Sequence, residues 1–554
     1  MTNWIISNLQ FNNWGNPVFK NPDFIVYVKQ DVKSVVNNTI VNGQIIKRYN
    51  HFPEQDVYQI SRGNLTGEIN NYKGIFQLIK WDEKGFSIAG DHHGIFKWFV
   101  WKNDDAFILT NKLENISSAI DLSVSRKAII DHCIFNRFVK GRTLWQNVTF
   151  SGMAEILEFD AFNKEFTKQN YWDYNELAKQ KQSNQDFGEI AKTFQSILKD
   201  YLNKLNARKV SVPLTGGLDC RSALAAILDD KYSIQTYTYG HPLSSDTIIG
   251  KNTAEKLGLP FTNYHLQDKS LYLDLEQEIF EYGNSLVSSN RAHRLWGVKK
   301  ETENADVMIL GYLGGESVRG LWPDDLIISK AVRKTWEGKE NITNIVKEAF
   351  NAAGLSNYSK DDLDYAITSL EYFNLKNHQK NYFRFLFEVK SHLHFAQDLY
   401  LFQKHTKPLP IFMDLDYLYL LFSSPYNLLN KHSMTKNKLK KLSSPEYNCN
   451  IIYRLNKNLA KIKTSNGFSP EEFVKNKYFA YLKRLRQSLK KKKFHANYRF
   501  EAWRVDLLRN NMAKDQKFAL LPDGNLNGKD EKSLLPYTRV YDLSMFGRFY
   551  AEKQ

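Results

Sequence analysis

VSVPLTGGLDCRSALAAIL, Val210–Leu228, is the stretch on which the fold turns. Its first residues, Val210–Leu214, form an apolar run of strand length. Gly216-Gly217 breaks the run, and Arg221–Leu228 has the alanine- and leucine-rich make-up of a helix. A strand that passes through a Gly-rich turn into a helix makes an anion site. The glycines let backbone approach a phosphate, Thr215 offers a hydroxyl, and the helix start presents unpaired N–H groups at the positive end of its dipole. Asp219 in the same loop would repel phosphate unless a cation lay between them, so bridging to Mg2+ is its expected role.

On either side of this stretch, strands and helices alternate. Phe187–Leu205 reads as an amphipathic helix, Ile234–Tyr239 as a strand, Asn252–Leu257 as a helix, and Thr262–Leu266 and Val307–Leu310 as strands. That spacing predicts a parallel sheet with helices on both faces. Upstream, residues 1–175 consist of short alternating segments, such as Phe24–Lys29, Ile75–Trp81, Phe86–Ala89 and Ala106–Thr110, punctuated by Gly, Asn and Asp. These predict sheet with tight turns, with one helix over 126–139. Residues 340–460 read as mainly helical, 470–510 as a basic helical stretch, and 520–554 as irregular. No repeat of 20–50 residues is visible.

With 554 residues the chain can bury large cores without disulfides or metals. Lys and Arg number 76 against 60 Asp and Glu, a net charge of +16, which suggests an anionic partner. Cys133, Cys220 and Cys449 are widely spaced, which argues against a disulfide framework or a zinc cluster and fits a cytoplasmic location. No secretory signal and no apolar run of spanning length is present, so no membrane insertion is expected.

The loop resembles the Ser-Gly-Gly-x-Asp-Ser pyrophosphate loop of the ATP-pyrophosphatase ligases, with Thr215 for the first Ser and Cys220 for the last. Gln235–Leu266 resembles the second nucleotide element of asparagine synthetases, through Gly240, Pro242, Ser244, Asp246 and Leu257-Gly258. By that resemblance the backbone around Tyr239 and Gly240 reads the adenine edge, while Asp246 reads as a helix N-cap. Val307–Gly320 resembles the segment that carries the family's metal carboxylate, with Gly314 and Gly320 on family glycines and Glu316 on the carboxylate. Gly311 and Tyr312 join the nucleotide-binding set here, as Leu214, Thr215, Gly216, Gly217, Asp219 and Cys220 do in the loop. The family's acid–base position falls on Leu313, which cannot serve, and Tyr312 takes that role if the register shifts by one. Ser317 stands where the family has a Glu. Lys407–Pro425 resembles the family's Val-Pro-Phe-Leu-Asp stretch at Pro410–Asp414, and Lys436 or Lys438 follows as the lysine that would neutralise pyrophosphate, or as part of a solvated face.

Gly74–Trp101 resembles class II glutamine amidotransferases at Gly74, Phe76, Asp82, Asp91 and Gly94, and Phe138–Leu157 with Tyr171-Trp172 resembles the linker into the synthetase part. That family uses an N-terminal Cys, but position 2 here is Thr2. Asn42-Gly43-Gln44 lacks the neighbouring Arg and Asp elements of a glutamine site, so glutaminase activity is not expected. Asp91, His92 and His93 read as a turn, not a metal site.

The expectation is an α/β chain in three parts. Residues 1–180 form an inactive α+β amidotransferase-like sandwich, 185–460 an ATP-pyrophosphatase domain with a parallel sheet and a helical C-terminal part, and 461–554 a basic, mainly helical extension. The resemblance implies ATP and Mg2+ as cofactors, Asp219 and Glu316 as metal ligands, and an AMP-forming ligase that adenylates a carboxylate and couples it to an amine. The glutaminase-deficient branches of this kind are the β-lactam synthetases and the lasso-peptide macrolactam cyclases. A cyclase would take a peptide, with a peptidase or leader-binding protein as partner. Amidation of a small acid or sugar acid with ammonia is the alternative. An RNA-adenylating enzyme and a nucleotide-binding pseudoenzyme are the readings of other classes; with no recognised RNA module, nucleic acid is not the expected partner.

Overall fold

The computed structural model describes residues 2–29, 35–48, 57–228, 231–319, 329–338, 340–353, 355, 357–374, 378–430 and 445–491. The chain is α/β. Two antiparallel sheets fill the N-terminal part, a five-stranded parallel sheet follows, and helices dominate from Lys330 onward.

The first antiparallel sheet runs in the order Val148–Phe150, Phe99–Lys102, Phe107–Thr110, Asn3–Ser7, Ile25–Lys29, Phe19–Lys20. The second runs Glu165–Asn170, Glu155–Asp160, Gly85–Gly90, Tyr72–Asp82, Thr39–Lys47, Val35–Val36. Strand period sorts the side chains: Trp4 and Ile6 join Ile79, Phe86 and Ile88 between the two sheets, while Ile5 faces the main core outside. The helix expected over 126–139 ends earlier, as Arg126–Phe135, because Asn136 turns left-handed at φ 61° and closes on the His132 carbonyl.

The second half begins with helix α1 (Phe187–Lys204). Strand β1 (Lys209–Pro213) leads into α2 (Asp219–Ile227), β2 (Ser233–Tyr239) into α3 (Ser245–Leu257), and β3 (Phe261–Tyr264) into α4 (Lys269–Tyr282) and α5 (Ala292–Thr302). Then come β4 (Val307–Ile309), β5 (Pro408–Leu409) and α6 (Glu446–Leu455). All pairings are parallel, in the order β3-β2-β1-β4-β5. The chain moves outward from β1 to β3 and returns on the other side of β1 as β4. This makes the crevice beyond the carboxyl ends of β1 and β4 the topological switch point, the place where open parallel sheets bind ligands.

The two halves share one continuous hydrophobic core. The helical run from His378–Phe385 through a π-helical stretch, Leu386–Phe395, to Ala396–Phe402 lies between them and is buried almost throughout. Where it is described, the expected C-terminal extension packs into the same core through Ile462, Phe468 and Phe473. Among the described residues no helix is long and apolar enough to cross a membrane.

Candidate nucleotide site

The β1–α2 loop carries the motif. Leu214 is buried and donates its N–H to the Tyr237 carbonyl at 2.7 Å, so it extends the ladder and takes no part in the loop's open face. Thr215 Oγ1 accepts from the Gly217 N–H at 3.1 Å. Gly216 is required by close approach: a Cβ there would sit 2.5 Å from the Ser465 Cβ, and its carbonyl accepts from the Ser465 N–H at 2.9 Å. The residue before α2, Leu218, supplies no side-chain cap, so the first-turn N–H groups of the helix keep their capacity for an anion. Beneath the loop Arg221 is fully buried and donates to the Thr253 hydroxyl (2.7 Å) and to the Ile462 and Thr215 carbonyls (3.3 and 3.4 Å). Burial pulls its pKa down to about 10, which leaves it cationic at neutral pH.

Asp246 is not the N-cap of α3. Ser244 holds that place, accepting from the Thr247 N–H, and the Asp246 carboxylate instead accepts from the Gly216 N–H at 3.3 Å. Its carboxylate ties the second nucleotide element to the first.

The first and third motifs meet at Asp219. A Cβ on Gly311 would lie 2.7 Å from the Cys220 Sγ and 3.3 Å from the Asp219 Cβ, and one on Gly314 would lie 3.0 Å from the Asp219 Cβ. Both glycines are therefore the space into which Asp219 and Cys220 fit. Asp219 Oδ1 accepts from Asn448 Nδ2 at 2.9 Å, a contact from α6. The Cys220 thiol is pushed up to about 12 by burial and by Asp219, which makes it a weak donor and no nucleophile.

Between β1, β2 and β4 lies a cavity of about 170 Å3. Thr215, Gly217, Asp219, Cys220, Tyr239, Gly311 and Tyr312 all line it, joined by Arg294 of α5 and an apolar wall that includes Val298, Leu310 and Phe402. Leu214, Gly216, Gly240 and Glu316 are not on its lining. The Gly240 N–H is committed to the Tyr264 carbonyl at 2.9 Å, and its carbonyl accepts from Asn263 at 3.3 Å, so β3 already holds that backbone.

The turn after β4 separates Leu313 from Tyr312. Leu313 sits at φ 72° with its side chain wholly in the core, an uncommon conformation for a residue other than glycine. Tyr312 faces the cavity, stacks on Phe395 (centroids 4.6 Å apart, 9° between planes) and donates its hydroxyl to Asp398 Oδ2 at 3.0 Å. Burial and then Asp398 hold the phenol well above its usual pKa, so it stays protonated and acts as a donor. Ser317 is buried and donates its hydroxyl to the Leu313 carbonyl at 2.7 Å. Glu316 pairs with Lys390 of the π-helical stretch at 2.9 Å.

Lys436, Lys438 and Gly320 lie outside the described residues. Lys463 is exposed and stands two residues from Ser465, the residue seated on Gly216. Among the described residues no three His, Cys, Asp or Glu are grouped to hold a metal. In the sandwich, Asp91 accepts from the N–H groups of His93, Ile95 and Phe96, which is the expected turn. Thr2 is buried, its N–H donating to Asn42 Oδ1 at 2.7 Å and its carbonyl accepting from Asn111 at 2.8 Å.

No protein-family model matches the chain, and no curated protein matches it significantly. Among solved structures, a glutamine-dependent NAD+ synthetase from Acinetobacter baumannii in complex with ADP is similar at 14% identity, covering 41% of this chain and 41% of that chain, with a TM-score of 0.18. A glutamine phosphoribosylpyrophosphate amidotransferase from B. subtilis with ADP and GMP is similar at 12% identity, over 55% of this chain and 50% of that chain, with a TM-score of 0.13. The chain thus spans about two-fifths to a half of these structures' length. At these values the functional reading rests on the site itself.

Proposed function

We propose that this chain is an ATP-dependent carbon–nitrogen ligase that activates a carboxylic acid as its acyl-adenylate. The observation that carries this reading is the convergence, at the β1–β4 switch point, of an uncapped helix N-terminus, the Thr215–Asp219 loop and Tyr312 on one cavity. The β- and γ-phosphates lie on the loop, against Thr215, the Gly217 backbone and the first turn of α2, with Arg221 adding positive charge from beneath. An oxygen of the acid attacks the α-phosphorus, the bond from that phosphorus to the bridging oxygen of the β-phosphate breaks, and pyrophosphate leaves. An amine then attacks the acyl carbon, AMP leaves with the electron pair of the C–O bond, and the amine's proton goes to solvent. The protein contributes positioning and charge neutralisation. Tyr312 is a hydrogen-bond donor in the wall and not a base.

The donors suit a Mg2+ ion carried in by ATP better than a resident ion, since Asp219 lines the cavity while Glu316 is paired with Lys390. When bound, the ion neutralises charge on the phosphates. Asp219 would hold it, kept in place by Asn448 and the two glycines; Glu316 is a second ligand only if Lys390 releases it.

Amide formation on a small acid, with ammonia or a small amine, and macrolactam formation on a peptide both use this chemistry. The peptide reading would also require a peptidase or leader-binding partner. Acid-dependent ATP–pyrophosphate exchange across a panel of mono- and dicarboxylic acids tests the proposal. Exchange that depends on acid and disappears in Asp219→Ala supports the ligase. Nucleotide binding without exchange for any acid or peptide would make it a binding protein.

A further inference from the structure

Away from the crevice, the last described helix, Lys477–Lys491, is turned with its apolar stripe outward. Three of the nine large apolar side chains that stand exposed among the described residues fall within one five-residue span of it: Tyr478 is 70% exposed, Phe479 50% and Leu482 57%. Tyr478 and Leu482 are four residues apart and so lie on one face, with Phe479 at its edge. The opposite face is the one that packs. Ala480 is fully buried, and a Cβ on Gly467 would lie 3.0 Å from the Gln487 Cβ and 3.2 Å from the Lys483 carbonyl oxygen. The start of the helix is pinned as well, where Phe479 donates its N–H to Asn476 Oδ1 at 3.0 Å and Lys483 pairs with Glu472 at 2.6 Å. The packing itself therefore holds the stripe outward.

The same helix is strongly basic. Nine Lys and Arg fall from Lys475 to Lys493, and no Asp or Glu occurs between Glu472 and Glu501. Arg486 is exposed four residues after Leu482, on the same face, and Lys477 is exposed at the helix start. The rest of the chain does not supply the missing acid, since residues 492–554 carry 12 Lys and Arg against 8 Asp and Glu. A second copy of the helix would meet it with like charge. An acidic peptide helix would need an apolar groove, and the recess beside the helix start is lined mainly by polar groups, among them Glu446, Asn450, Lys475, Asn476 and Lys477. RNA would need flat rings to stack on throughout, and the middle of the stripe is Leu482. Apolar and aromatic groups along one outward helix face, with cations around them and no acid, match the interface of an anionic bilayer.

We propose that the helix Lys477–Lys491 docks this chain on an anionic lipid surface, with Tyr478, Phe479 and Leu482 in the boundary between headgroups and acyl chains and the flanking Lys and Arg against the headgroups. Such binding is peripheral and needs no spanning helix. The docking surface does not depend on the ligase reading.

Co-sedimentation of the full chain with vesicles tests the proposal, with phosphatidylcholine alone as the neutral surface and equal parts of phosphatidylcholine and phosphatidylglycerol as the anionic one. The wild-type chain is expected to bind the anionic vesicles about tenfold or more tightly than the neutral ones, and less tightly as salt rises. Phe479→Ser with Leu482→Ser changes only exposed side chains, and should weaken binding to the anionic vesicles by about fivefold or more while the unfolding midpoint stays unchanged. Lys477→Gln with Arg486→Gln should weaken it by about tenfold and leave binding to neutral vesicles as it was. Equal binding of the two kinds of vesicle by the wild-type chain, or binding to neither, overturns the inference. So does full retention of binding in Phe479→Ser with Leu482→Ser, because charge alone would then account for it. Tighter binding to polyuridylate or to polyglutamate than to the anionic vesicles, lost in the same variant, would overturn it in favour of RNA or of an acidic protein.

Discussion

Two buried ion networks in this chain look alike and are balanced differently. At the seam between the halves, Lys73 lies 3.1 Å from Asp414 and 2.8 Å from Asp416, and Arg48 meets Asp416 at 2.9 Å. Two cations face two carboxylates, and the adjoining cavity is only about 20 Å3, room for one water. In the crevice, Arg291 and Arg294 face one carboxylate beside a cavity of about 170 Å3. A balanced, filled network holds two surfaces together. A network that borders open volume leaves a place for a ligand. Buried charge alone does not distinguish structure from function, but charge balance together with volume does.

The largest effect separating the two should come at the seam. Lys73→Met removes one cation and leaves Asp414 and Asp416 buried beside each other, so it is expected to cost about 3–5 kcal/mol of unfolding free energy in a urea titration. A cost below about 1 kcal/mol would break the claim that the seam network is structural. In the crevice the loss should be of rate: Asp219→Asn is expected to lower acid-dependent pyrophosphate exchange by about 10²–10³-fold, with stability within about 0.5 kcal/mol of wild type. Equal losses of rate and stability would show that Asp219 is a packing residue.

Much of the crevice is readable before folding, because its parts are local. A strand, a Gly pair and a helix occupy one short stretch, and the alternation that follows fixes a parallel sheet. Asp219, Thr215 and Gly217 could be placed on that ground, while Tyr312 came only from the resemblance of the third motif. Its charge network could not. Arg294 meets Asp398 across 104 residues, Asn448 meets Asp219 across 229, and Ser465 sits on Gly216 from still farther along the chain. An arginine whose partner is so distant has no local signature, least of all in a lysine-rich sequence. Glu316 was readable as a carboxylate near the third motif, but its pairing with Lys390 depends on how the π-helical stretch packs. Asp246 reads as a cap in the sequence, but Ser244, two residues earlier, competes for the same role and wins it. The seam was half legible: Asp414 and the Asp91-His92-His93 turn stood out, and their joining through His93 and Met413 did not.

Acid should weaken the seam through its buried histidines. His93 bonds the Met413 carbonyl at 2.6 Å and Ser391 at 2.7 Å, and burial pushes its pKa down to about 4. A histidine kept neutral in the fold contributes stability that is whole above the unfolded value near 6.5 and is lost as pH falls from 6.5 toward 4. His92, held down to about 3 chiefly by burial, acts in the same direction. Asp91 acts oppositely: burial lifts its carboxyl to about 6, so its contribution grows as pH falls from 6 toward 3.8. In His93→Gln the Asp91 and His92 parts remain, and the stability lost between pH 6.5 and 4 should shrink by about 3 kcal/mol relative to wild type. An unchanged pH slope would mean that His93 carries the charge through the transition and that the seam tolerates it.

The smallest effect sharpens the comparison most, because it asks what an excess charge costs to remove. Arg294→Met leaves Asp398 still paired with Arg291 at 2.7 Å and takes away the guanidinium whose Nε–H has no acceptor among the described residues. Its expected cost is therefore about 1 kcal/mol or less by urea titration, against about 3–5 kcal/mol for Lys73→Met at the balanced seam. If Arg294→Met destabilised the chain as much as Lys73→Met, the second guanidinium would be structural and the crevice would need no further anion. If it were neutral or slightly stabilising, the position would be one where the fold carries a charge that only a bound anion uses.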